Sequence, residues 1–101
     1  MTPEVLTLIA TFFVCSEAAD QRMLTHAELT FCNQTFEEVK ASFVPGVEVE
    51  DYPAMSPAER REANDMGYAG YLQWRADNTT LVETMEAEAR DVLERQDGKL
   101  L

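Results

Sequence analysis

A chain of 101 residues with 46% apolar content is a single domain's worth of sequence, 1–101, long enough to bury a core without a metal or a disulfide. Nineteen acidic residues against eight basic give a formal net charge of -11, which disfavours contact with phosphate backbones or anionic lipid and favours a basic protein partner. No apolar run reaches the length of a bilayer span, so neither nucleic acid nor membrane is expected as a partner.

The first predicted helix opens at Thr2-Pro3, a capping residue followed by a proline that suits the first turn, and is expected to run to Ser16 or Ala19. It is apolar nearly all round: Val5, Leu6, Leu8, Ile9, Phe12, Phe13, Val14 and Cys15 leave Thr7 and Thr11 as its polar edge. Such a helix is either the centre of the domain or half of a homodimer contact. The run also has the length of a secretory h-region, with a small-x-small site at Ser16-Glu17-Ala18. The residues before it hold Glu4 and no Lys or Arg, so a cytoplasmic location is expected over secretion.

Thr25-His26-Ala27-Glu28 is a capping box that opens a second helix, with Leu29, Cys32, Phe36, Val39 and Phe43 on one stripe. Pro45, Gly46 and Pro53, around the acidic run Val47-Glu48-Val49-Glu50-Asp51, then forbid helix from Val44 to Met55 and leave a loop with room for a short extended piece. A second box, Ser56-Pro57-Ala58-Glu59, opens a third helix. Its core face is Ala63, Gly67, Gly70, Tyr71 and Trp74, with two glycines that admit a close neighbour. After a tight turn at Asp77 to Thr79, Thr80-Leu81-Val82-Glu83 reads as a third box. The fourth helix carries Leu81, Val82, Met85, Ala89, Val92 and Leu93 on one side and the i,i+4 pairs Glu86–Arg90 and Asp91–Arg95 on the other. The expected fold is all-α: a compact four-helix domain with an acidic, Pro/Gly-containing loop between helices 2 and 3.

Chemistry gathers between Cys15 and Cys32. Met23 to Leu29 resembles the second half of an EF-hand calcium loop, with Leu24, Thr25 and Glu28 at its hydrophobic, ninth and twelfth positions. The first half departs from that pattern, since Glu17, Ala19 and Gln21 stand at the early ligand positions and Arg22 replaces the glycine of the sharp turn. A hydrophobic residue before a capping box produces the same spacing for helical reasons alone, so no metal and no cofactor is expected. Cys15, His26 and Cys32 lack the compact paired spacing of a zinc site; a metal-binding or redox-sensing centre on these three, or a degenerate EF-hand-like helix-loop-helix, is the alternative reading of the chain. An antiparallel hairpin could set Cys15 beside Cys32 for a disulfide. With no export signal, reduced and buried thiols are the expectation. One histidine, no Gly-rich loop and no nucleophile motif give no catalytic set, and the sequons at Asn33 and Asn78 are read as chance.

What remains is surplus apolar surface. Tyr68, Leu72 and Arg75 lie about 100 to 150° round the third helix from its core face, and Phe31 lies off the stripe of the second. Tyr, Phe and Arg are favoured at recognition surfaces. These four are the candidate partner-binding residues of a non-enzymatic interaction module, an adaptor, inhibitor or accessory factor. Its partner is expected to be another protein, of basic character, or a second copy joined through helix 1.

Overall fold

The computed structural model describes residues 1–101. It is all-helical: α1 (Pro3–Gln21), α2 (His26–Ala41), α3 (Pro57–Asp77) and α4 (Thr79–Arg95), with a 3-10 helix at Val49–Ala54 between α2 and α3. Thr2 caps α1 by accepting from the Val5 amide, and α1 runs on past Ala19 because nothing from Ser16 to Gln21 breaks a helix. Complete capping boxes start α2 at Thr25/Glu28 and α3 at Ser56/Glu59.

The third box does not form. Asn78 alone separates α3 from α4: its side-chain amide donates to the Trp74 carbonyl (2.9 Å) while its own carbonyl accepts from the Val82 amide (2.9 Å). The fourth helix therefore begins at Thr79, and Thr80 sits inside its first turn, where the Glu83 amide that a box would cap already falls within the helix's own i to i−4 bonding. The acidic loop holds no extended strand either. Pro45 and Gly46 (φ 77°) turn the chain, and the Asp51 carboxylate accepts from the Glu48 amide (2.9 Å) to start the 3-10 turn.

The first two helices form an antiparallel hairpin on which α4 packs against α1 and α3 against α2, while α3 and α4 scarcely touch each other. The thinnest dimension is 20 Å, about two helix diameters. All four helices meet in one core: Ile9 and Phe13, Val39, Tyr71, and Val82, Met85 and Ala89. Of the two readings of the first helix, the one that makes it the sole centre of the domain gives way to a centre shared by α1 and α2. Along α1, Ile9, Phe13, Cys15 and Ala18 are buried and Phe12 and Leu8 half-buried, whereas the outward line is Thr7, Ala10, Ser16 and Ala19.

The second helix is not the one-sided outer helix its stripe suggests. Glu28, Cys32, Thr35 and Val39 form one buried seam, and Phe36, Lys40 and Phe43 meet α3 beside it, which turns Leu29 out to solvent. The two α3 glycines permit that contact. A methyl group at Gly67 would come 2.8 Å from the Lys40 carbonyl carbon, and one at Gly70 would come 2.8 Å from Phe43 Cβ. Tyr71 rather than Trp74 takes the central place, edge-on to Phe12, Phe36 and Phe43; Trp74 is half-buried at the margin.

Cys15 and Cys32 are joined in a disulfide, correcting the expectation of free thiols. The hairpin brings their Cα atoms to 5.8 Å, within the range that a bridge spans, and both residues are at most 5% exposed. The ion pairs also differ from expectation. Rather than running along α4, they cross between helices, Arg75 to Glu86 (3.6 Å) and Arg90 to Glu17 (3.5 Å).

Gly67→Ala should gain about 1 kcal/mol of helix propensity yet lower net stability by about 1–3 kcal/mol, because the new methyl meets the α2 main chain. A melting temperature at or above that of the parent would mean that α2 can draw back freely. Replacing both cysteines by alanine opens a loop of 17 residues and should cost about 3 kcal/mol in denaturant unfolding. Equal midpoints for the two proteins would show that the bond adds nothing to the hairpin.

Candidate functional site

The turn between α1 and α2 is organised by one ion pair. The Nη1 and Nη2 atoms of Arg22 each donate to one oxygen of Glu28, at 2.8 and 2.7 Å, and the guanidinium also donates to the carbonyls of Met23 (3.1 Å) and Gly98 (2.6 Å). The same carboxylate accepts from the amides of Thr25 (2.9 Å) and Leu100 (3.3 Å). Hydrogen bonds from Arg22 first, and from the Thr25 amide second, hold the Glu28 carboxyl well below the usual carboxylate range. The cation that meets the Glu28 carboxylate and the neighbouring main-chain carbonyls is thus the guanidinium of Arg22. Cys15 and Cys32 are bonded to each other, so neither offers a thiolate, and His26 is exposed at the start of α2. No cluster of three or more His, Cys, Asp or Glu side chains is placed to hold a metal ion.

The four candidate contact residues separate. Tyr68 and Leu72 stand one turn apart on α3, 46% and 45% exposed, with the Tyr68 ring edge-on to Phe36 (6.2 Å). Arg75 is engaged internally: it donates to the Tyr71 hydroxyl (3.2 Å), pairs with Glu86 on α4 and lies over the Phe13 ring (5.3 Å). It closes the gap between α3 and α4. Phe31 lines a small cavity of about 160 Å³ with Thr11, Val14, Cys15, Val92 and Leu100, and none of the three α3 residues reaches it.

The largest concavity is a cleft of about 510 Å³ between the first half of α1 and the chain that follows α2. Val5, Leu8, Val44, Val47 and Val49 give it an apolar floor, and Glu38, Glu48 and Glu50 stand around it. None of these three carboxylates has an ion-pair partner in the chain. An adjoining depression shares Glu38, Val49 and Glu50 and adds Gln34, Glu37 and Tyr52. The Tyr52 hydroxyl is buried there without a hydrogen-bond partner, and burial, with Glu37 nearby, pushes its pKa up. Half of this site was readable beforehand, in the alternation Val47-Glu48-Val49-Glu50 and the absence of Lys or Arg from Ala41 to Glu59. The other half, Val5 and Leu8, joins it only through folding.

No protein-family model, no curated protein and no solved structure matches the chain.

The Arg22–Glu28 clamp generates a pH dependence of defined sign. Because the folded-state pKa of Glu28 is depressed, its contribution is complete above the ordinary value near 4.5 and is lost as pH falls through the folded value. Glu28→Gln should therefore melt below the parent at pH 7, and the difference should shrink progressively below about pH 4.5. Thermal melts across pH 2–7 check this; a constant difference would mean that packing, not charge, makes the clamp.

Proposed function

We propose that this chain is a non-enzymatic protein-interaction module, an adaptor, inhibitor or accessory factor, whose docking face is the cleft between α1 and the Val44–Ala54 segment. The observation that carries the reading is the cleft itself, the largest concavity of the fold, with an apolar floor and a rim of carboxylates that no side chain of its own chain neutralises. Of the titratable groups with altered surroundings, Glu28 and Glu59 close capping boxes and Arg75 bridges two helices, whereas Tyr52 lies in the depression beside the cleft. Tyr68 and Leu72 offer a second, convex apolar surface on α3.

The buried disulfide supports a structural staple over a redox sensor, since sensor cysteines are exposed to their oxidant. Such bonds persist in oxidising compartments and are rare in the cytosol, which favours a place of action outside it over the cytoplasmic one.

A photo-crosslinking residue incorporated at Val47, at Leu72 and, for comparison, at Glu88 tests the assignment in the native host. A discrete crosslink from Val47, absent from Glu88, is the expected result. Crosslinking from Leu72 alone would move the docking face to α3, a crosslink to a second copy would make the cleft a dimer contact, and none from either position would overturn the reading.

A further inference from the structure

Resting on the assignment of that cleft as the docking face, we propose that its occupant is a basic amphipathic helix of a partner protein. The electrostatics are one-sided. Residues 1–21 and 41–59 contain no Lys or Arg, and they supply all of the lining except Glu38. The nearest cation in sequence, Lys40, is itself buried, donates to Glu37 (3.0 Å) and Asn64, and lies over the Phe36 ring at 4.7 Å. It cannot turn back to Glu38 without abandoning those contacts. The rim carboxylates therefore face solvent with no cation to meet them, around a floor of valine and leucine, and the complementary object is apolar along one stripe and cationic on its flanks.

The shape favours a helix over an added strand. Strand addition needs a free backbone edge, but the Val47 amide already donates to the Val44 carbonyl (3.3 Å) and the Glu48 amide to Asp51, after which the chain coils into its 3-10 turn. Recognition here must run through side chains. A cleft of about 510 Å³ takes the few apolar side chains that a helix projects at i, i+3 or i+4, and i+7. Glu38 on α2 and Glu48 with Glu50 on the loop then stand to receive Lys or Arg from its flanks. The net charge of -11 would speed the encounter and make it salt-dependent.

The test uses the full chain and a fluorescein-labelled peptide of Leu and Lys arranged as an amphipathic helix, alongside a scrambled peptide of the same composition, read by fluorescence anisotropy. The ordered peptide should bind at least tenfold more tightly than the scrambled one. Glu48→Lys with Glu50→Lys should weaken it tenfold or more, as should Val47→Ser with Val49→Ser. Charge reversal on α4, Glu88→Lys with Asp91→Lys, should change it less than threefold. All these positions are exposed or half-buried, and circular dichroism melts verify that each variant folds. Equal binding of the two peptides, equal effects of the loop and α4 reversals, or no binding would each overturn the proposal. A protein crosslinked from Val47 whose contacting segment is not basic would overturn it while leaving the interaction-module reading intact.

Discussion

The fold depends on how sharply the chain reverses between α1 and α2, and the Arg22–Glu28 pair sets that reversal. Two parallel N–H to oxygen bonds fix the guanidinium relative to the first turn of α2 in a way a single-point contact could not. The remaining donors of Arg22 take Met23 and Gly98, and the remaining acceptor capacity of Glu28 takes Thr25 and Leu100. One pair thus joins the end of α1, the start of α2 and the residues that follow α4. The fourth helix closes in the geometry this requires: Asp97 and Gly98 both adopt positive φ, and the Gly98 amide returns to the Leu93 carbonyl (2.8 Å). Farther into the hairpin, the Cys15–Cys32 bond holds the same two helices at a fixed distance, so the hairpin is pinned at its turn and along its length.

With the hairpin rigid, the close approach of α3 to α2 decides where the acidic loop lies. Gly67 and Gly70 let the last turns of α2 sit nearly against the α3 backbone, which leaves Lys40 enclosed with Asn64 and Phe36. The chain leaves α2 immediately afterwards and must travel back to Ser56 to begin α3. That return path carries Val44, Val47 and Val49 beside Val5 and Leu8 of α1. The cleft is thus a consequence of helix packing: α2 is too closely covered on its α3 side for the loop to lie there, so the loop spans the other side and leaves a trough.

The features of this architecture that were legible in the sequence are those determined within a few residues. Thr2-Pro3, the boxes at Thr25 and Ser56, and the turn at Pro45-Gly46 act through neighbouring backbone groups and lie where their local chemistry implies, whereas Pro53, expected to forbid helix, sits inside the 3-10 helix Val49–Ala54. The box at Thr80 fails for an equally local reason: a single residue, Asn78, suffices to separate α3 from α4, and that shifts the start of α4 by enough to make the hydroxyl redundant. The rest depends on pairings over long separations. Leu29 and Phe36 look alike on a helical wheel until α3 arrives on one side of α2. Arg75 looks like a surface cation until Glu86 and the Phe13 ring are placed around it. Of the four proposed contact residues, Tyr68 and Leu72 are exposed together, whereas Arg75 and Phe31 have neighbours that no spacing rule identifies.

The distribution of the few cations links the structure to the proposed role. Arg22, Lys40, Arg75 and Arg90 each hold an ion pair within the chain, and Arg60 reaches the Tyr52 carbonyl (3.5 Å). Three of these ion pairs tie helix boundaries or neighbouring helices together: Arg22 holds the hairpin turn, Arg75 joins α3 to α4 and Arg90 joins α4 to α1. Lys40 is fixed at the α2–α3 contact. Each of these four ion-paired side chains is already matched to a carboxylate elsewhere in the chain, so none of the four is free to offset Glu38, Glu48 or Glu50, and the net charge stays at -11. The excess is least opposed along the loop, where Glu48 and Glu50 alternate with the valines of the cleft floor. A solubility role for acidic residues would be served equally well by scattering them. Their alternation with half-buried valines around one concavity couples charge to shape, which is what the proposed docking of a basic partner requires.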